Sequence, residues 1–213
     1  MTIYLNGDRT KGLRDSGPTV LESFGDGLTP YTGDSGFSIV STAYDGDGQA
    51  IEGTSSVAMT YRDDGNALTP RGTDVDPNKY IVRQYVPSSV TMDAGFMHNV
   101  QSSTTGVGDV SGYWIGNFYN GTNDEMFFYR YDNGGRTRFA YKELSGKTMP
   151  RDAYGAIVLD LGSSNIDATW YDGGDPGSAN QIATLSGSDP DYTGGSLGFL
   201  TYKPLIYDYA TKP

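Results

Sequence analysis

Four glutamates, one histidine and no cysteine bound the chemistry this chain can carry. Without thiols there is no disulfide, no thiol nucleophile and no cysteine-based metal centre. His98 has neither a second imidazole nor a cysteine with which to hold zinc, and no nucleophile-elbow string supplies a serine for it to activate. Glu52 and Glu143 have no acidic residue two or four positions on, and in a strand the consecutive pair Asp124-Glu125 is aimed at opposite faces. Hard cations are better served: Asp45-Gly46-Asp47 and Asp74-Val75-Asp76-Pro77-Asn78 place side-chain oxygens at alternate positions, as calcium requires. Neither run carries the bidentate Glu of an EF-hand loop, and Asp in plain turns is the competing reading. For a saccharide, which offers apolar faces to rings and hydroxyls to Asp and Asn, the candidate residues are Trp114, Tyr119, Tyr129, Tyr131 and Trp170. The alternative for each ring is ordinary core. Asn120-Gly121-Thr122 has the form of an N-glycan acceptor, active only in a glycosylating compartment and otherwise a turn.

The elements that must position these groups are strands. Between Tyr154 and Leu200 an apolar run (156–161) is followed by alternation of Ile166, Ala168 and Trp170 with Asp167, Thr169 and Tyr171, the period-2 pattern of a half-buried strand. Asp172-Gly-Gly-Asp-Pro-Gly177 is a turn, 181–185 alternates again, Ser186-Gly-Ser-Asp-Pro-Asp-Tyr-Thr-Gly-Gly195 interrupts, and 196–201 resumes. Further strands are predicted at 19–24, 37–42, 49–53, 56–61, 79–85, 94–100, 112–119, 125–131, 136–142 and 205–208, with a short one at 2–5. Between 126–131 and 136–141, Asn133-Gly134 supplies the positive φ angles of a tight primed turn. That hairpin puts Phe127, Tyr129 and Tyr131 on one face and Phe128 and Arg130 on the other.

At 213 residues the chain is long enough for one β-sandwich with a substantial core. Thirty glycines and ten prolines suit many turns, and 17 Tyr with 8 Phe supply large strand-favouring side chains. A net charge of -11 argues against nucleic acid, whose phosphates demand a basic face. Of 26 acidic residues 22 are Asp, and Lys accounts for 6 of 15 basic ones. Asp populates turns for its own backbone bonding; a dense carboxylate surface also stays hydrated where molar salt screens its self-repulsion. No segment approaches a membrane span. The opening MTIYLNGDRTKGLRDSGPTV has no apolar signal region, which predicts either a domain of a longer secreted protein or a chain made inside a cell and released by lysis.

Two tracts carry a family resemblance. Val158-Leu-Asp-Leu-Gly162, Ile166–Asp172, Ile182–Asp189 and Tyr192–Phe199 together resemble the C-terminal half of concanavalin A-like lectin/glucanase (LamG-type) jelly rolls, as found in haloarchaeal surface proteins and haloarchaeal virus structural proteins. Phe24, Asp26, Gly27, Tyr31, Gly33 and Phe37 match the opening of the same domains, except that Gly25 stands where they carry an acid. The resemblance implies an all-β, concanavalin A-like jelly-roll β-sandwich of two antiparallel sheets over 19–213, preceded by a short N-terminal arm, 1–18. Glucanases of this superfamily carry Glu-x-Asp-x-(x)-Glu on one strand face with carboxylates about 5–5.5 Å apart. No such string occurs here, so the chain is expected not to be an enzyme.

Carbohydrate-binding jelly rolls also tie first and last strands with calcium, a role the resemblance assigns to Glu22 or Asp26 with Asp208 and a contribution from Asp45. The implied function is a virion surface subunit of a haloarchaeal virus: tail fibre, spike or capsid decoration. Its expected partners are other virion proteins, further copies of itself, and possible cell-surface glycan or glycoprotein. The alternatives are a purely structural subunit and a domain of a secreted glycanase or adhesin. Arg9, Lys11 and Arg14 make the arm cationic beside an anionic domain, which suits docking on a neighbouring subunit.

Overall fold

The computed structural model describes residues 19–22, 31–33, 36–40, 50–53, 57–61, 79–85, 93–101, 108–161, 165–189, 191–192, 196–202 and 205–212. Among them are strands and no helix, hence no helix long and apolar enough to cross a membrane. One sheet runs β13 (Gln181–Ser188), β12 (Asn165–Tyr171), β11 (Tyr154–Leu161), β6 (Lys79–Tyr85), β15 (Leu205–Lys212), β4 (Ala50–Gly53) and β3 (Phe37–Val40), with β1 (Thr19–Glu22) also on β15. The other runs β10 (Gly135–Glu143), β9 (Asp124–Asp132), β8 (Gly112–Tyr119), β7 (Asp93–Val100), β14 (Ser196–Thr201), β5 (Val57–Tyr61) and β2 (Tyr31–Gly33). Every pairing among the described residues is antiparallel. The predicted arm, with its strand at 2–5, lies outside the described residues.

Alternation explains the layering. On β12 the buried positions are Ile166, Ala168 and Trp170, and on β8 and β9 they include Tyr113, Ile115, Met126 and Phe128. These side chains meet Val82, Ile157, Leu159, Ala183 and Leu185 from the facing sheet in one core. The opposite parity on β7, β8, β9 and β14 gives a second apolar cluster of Met97, Trp114, Phe127, Tyr131 and Leu200 on the outer face of the seven-stranded sheet. The expected hairpin is present: Asn133 (φ 46) and Gly134 (φ 78) form a two-residue turn between β9 and β10. Gly134 is also required sterically, because a Cβ there would fall 2.1 Å from the Gly108 carbonyl oxygen.

His98 pairs opposite Tyr113 across β7 and β8 and is 5% exposed. Burial strips its hydration and lowers its pKa to about 3, so the folded state holds it neutral. Unfolded, it regains an ordinary value near 6.5, and below that pH the unfolded chain binds a proton that the folded chain refuses. Stability is therefore complete above pH 6.5 and declines as pH falls toward 3, by about 1.4 kcal/mol per unit. Urea unfolding at pH 7 and pH 5 is expected to differ by about 2 kcal/mol. His98→Leu should flatten this interval; equal losses in both proteins would assign the effect elsewhere.

Candidate functional site

The outer face of the seven-stranded sheet gathers most of the chemistry that the described residues expose. Trp114 is its foundation. Its ring is fully buried, with Phe127 at 4.4 Å, Tyr202 at 5.6 Å, Tyr129 at 5.7 Å and Tyr131 at 6.0 Å between centroids. The indole Nε1 donates to the Leu200 carbonyl at 3.1 Å. Gly95 on β7 makes this possible, since a Cβ there would lie 2.7 Å from Nε1 and 2.4 Å from the Ile115 carbonyl oxygen.

Above this foundation, β10 presents its outer side. A bulge between Arg138 and Ala140 shifts the register, so that Arg136 faces Tyr131, Arg138 faces Tyr129, Tyr141 faces Phe127 and Glu143 faces Glu125. Tyr141 is 56% exposed, with the Arg138 guanidinium 4.1 Å from its ring centroid. Arg136 lies over Tyr129 at 5.2 Å and Tyr202 at 5.1 Å. Tyr131 and Tyr202 join hydroxyls at 3.1 Å, and burial raises the Tyr131 pKa.

Five rings were expected to be available to a saccharide, and the structure places them differently. Trp114 and Tyr131 are 0% exposed and Trp170 is 1% exposed, so the exposure expected of these three is not found. Trp170 lies between the sheets, stacked on Phe128 at 6.4 Å and donating from Nε1 to Asn117 Oδ1. Tyr119 is half-buried at the end of β8. It is flanked by Lys147 at 4.9 Å and Arg151 at 5.9 Å, and its hydroxyl donates to the Gly121 carbonyl. Tyr129 remains half-buried on the outer face. Tyr141, Arg136 and Arg138 were not singled out from sequence.

Another missed arrangement is a carboxylate pair. Glu125 and Glu143, distant in sequence, stand directly opposite on β9 and β10. Asn120 Nδ2 donates to Glu125 Oε1 at 2.9 Å and to Glu143 Oε2 at 3.2 Å. Asn123 Nδ2 donates to Glu143 Oε1 at 2.9 Å, and Arg138 Nη1 is 3.6 Å from Glu125 Oε2. These donors offset the repulsion of like charges directly across a ladder. Asn120 Oδ1 meanwhile accepts from the Thr122 and Asn123 amides, so the glycan-acceptor string forms a tight Asx turn.

The acidic tract after β13 is fastened by a cation of the protein itself. Arg130 Nε reaches Asp132 Oδ2 at 3.0 Å, and Arg130 Nη1 reaches Asp189 Oδ2 at 3.0 Å and also Asp191. The Asp132 pKa is lowered by hydrogen bonding, first from the Tyr192 hydroxyl and then from Arg130. Tyr113 closes the group by donating to the Asp189 carbonyl at 2.7 Å, and burial pushes its pKa up to about 12.

For the calcium tie, register brings Glu22 opposite Ala210, two residues from Asp208 on β15. Asp26 and Asp45 lie outside the described residues, as do the runs 45–47 and 74–78. No group of three metal-ligating side chains occurs among the described residues.

The sequence matches no family model and no curated protein. Solved structures share its architecture. Carbohydrate-binding module CBM66 from Bacillus subtilis superposes with a TM-score of 0.55 at 11% identity, covering 84% of this chain and 96% of the module. The exoplasmic/lumenal domain of VIP36, in a form bound to Ca2+ and Man3GlcNAc, gives a TM-score of 0.55 at 8% identity, covering 87% of this chain and 83% of that domain. The chain has the concanavalin A-like jelly-roll fold. At such identities the likeness is one of fold, and function has to be argued from the site.

Proposed function

We propose that this protein is a non-catalytic carbohydrate-binding subunit displayed on a virion surface, as tail fibre, spike or capsid decoration of a haloarchaeal virus, with host-surface glycan or glycoprotein as its target. The observation that carries the binding reading is the outer face of β9 and β10. An exposed Tyr141 under Arg138 and a half-buried Tyr129 under Arg136 stand on rings that are themselves immobilised by packing. Such a face offers a sugar an apolar ring and guanidinium donors, with the Glu125 and Glu143 carboxylates beside them as acceptors. Both structural neighbours support the reading, one by its name as a carbohydrate-binding module and one by its bound Man3GlcNAc. The virion setting rests on the likeness of the 24–37 and 158–199 tracts to haloarchaeal viral jelly rolls. Assembly with further copies or other virion proteins through residues 1–18, and a calcium tie between the first and last strands of the sandwich, belong to the same proposal.

Retention on immobilised host-surface glycans is expected to fall several-fold in Tyr141→Ala, in line with about 0.5–1.5 kcal/mol for one ring contact. Affinity electrophoresis measures this directly. Wild-type protein that is retained on none of them while still entering particles would favour the purely structural subunit. One observation favours a hydrolase, the Glu125–Glu143 juxtaposition. Against it, Asn120 and Asn123 donate to both carboxyl groups and Arg138 lies 3.6 Å from Glu125, so the protein's own donors occupy oxygens that an acid and a nucleophile would have to turn toward substrate. Incubation with β-glucans should release no reducing ends; turnover abolished by Glu125→Gln would overturn the non-catalytic reading.

A further inference from the structure

We infer that the saccharide bound by this face carries an anionic group, a carboxylate or a sulfate ester, and that Arg136 receives it; the inference rests on the carbohydrate-binding reading above. In a chain of net charge -11, three arginines of the described region are held by carboxylates: Arg130 by Asp132, Asp189 and Asp191, Arg138 by Glu125, and Arg151 by Asp124. Arg136 is built differently. It is exposed, sits over the rings of Tyr129 and Tyr202, and has no carboxylate within ion-pair distance among the described residues.

Rings attract a guanidinium by its face; the Tyr131 hydroxyl takes one hydrogen bond from Arg136, and the rest of the N–H edge is the kind of group that binds a carboxylate or sulfate with parallel hydrogen bonds. The rings that orient Arg136 rest on buried Trp114, so little side-chain freedom remains to be lost on binding. A neutral sugar alone would need Tyr141 and hydroxyl partners; a fixed cation with no carboxylate partner among the described residues adds a preference for an anion. The protein's own acidity opposes this only at long range. Exposed charges are screened over about 10 Å at 0.1 M salt, and the nearest outer-face carboxylates of β9 and β10, Glu125 and Glu143, are already hydrogen-bonded to Asn120.

The test is calorimetric titration of the full chain at one ionic strength with two matched pairs: oligogalacturonate against its methyl ester, and dextran sulfate against dextran. Wild-type protein is expected to prefer at least one acidic member over its neutral counterpart by about tenfold or more, and which pair shows this distinguishes carboxylate from sulfate. Arg136→Gln should abolish that preference, so that the acidic member binds no more tightly than its neutral counterpart. Arg136→Lys should keep part of it, having charge without the planar fork. Equal binding of acidic and neutral members by wild-type protein, or a preference that survives Arg136→Gln, would overturn the anion assignment and leave carbohydrate binding standing. Failure to bind these four probes and host glycans alike would overturn both.

Discussion

Replacing Asp124 by Ala is expected to lower the unfolding free energy by about 3–5 kcal/mol, a large fraction of what holds a domain of this kind folded. Asp124 opens β9 with a side chain that is 0% exposed. Its Oδ2 accepts from the amides of Thr148 and Met149, each at 2.7 Å, and its Oδ1 accepts from Arg151 Nη2 at 2.6 Å. The backbone joins in, with Asp124 N donating to Gly146 O and Leu144 N donating to Asp124 O. One carboxylate thus organises the connection between β10 and β11. Truncation leaves two amides and a largely buried guanidinium without their acceptor, and the desolvation cost of each is then uncompensated. Urea unfolding at pH 7 measures the loss. Asp124→Ala/Arg151→Met should recover part of it by removing the stranded cation, and Glu125→Ala next door should cost under about 1 kcal/mol. Similar losses for Asp124→Ala and Glu125→Ala would refute this account.

The second large effect is expected at Trp170. Trp170→Ala empties a volume in the centre of the inter-sheet core and should cost about 3–5 kcal/mol. Trp170→Phe separates the two contributions to that loss. Phenylalanine keeps most of the ring volume against Phe128 but has no N–H for Asn117 Oδ1, and Asn117 Nδ2 already has no hydrogen-bond partner among the described residues. A wholly orphaned buried amide costs about 1–3 kcal/mol. Adding Asn117→Leu to Trp170→Phe should therefore restore stability rather than erode it further. A double variant less stable than Trp170→Phe alone would show that packing, not the indole N–H, governs this site.

Strands whose alternation is bounded by turn residues could be read to their ends, and Lys79–Tyr85, Gly112–Tyr119 and Ser196–Thr201 match the expected limits. The Asn133-Gly134 turn was equally visible, because positive φ at two successive positions has few sequence solutions. Tyr31–Gly33 was not, since three residues carry no periodicity and owe their extended form to pairing with β5. β13 runs on to Ser188 through a Ser-Gly-Ser segment that reads as a turn. Gly187 stays in the strand because Phe128, Phe139 and Ala140 crowd it to within 2.9–3.0 Å of a hypothetical Cβ. The site was obscured for a related reason. Parity puts Trp114 and Tyr131 on the outer face correctly, but it does not say that neighbouring rings bury them. In an unbroken register Tyr141 would oppose Met126 on the inner face. The extra residue at the bulge turns Tyr141 outward and sets Glu143 against Glu125, and nothing in the local sequence announces that slip.

Both sheets depend on one late stretch of chain. β14 joins β7 to β5 in one sheet, and β15 joins β6 to β4 in the other while carrying β1 along its edge. During synthesis, therefore, the strands before residue 62 and those from 79 to 188 must wait as separate halves until residues 196–212 have left the ribosome. Closing such long loops comes before the contacts that reward it, so the last strands act as a timing lock on folding. Through that interval the unpaired borders of β4, β5, β6 and β7 stand open to other nascent chains.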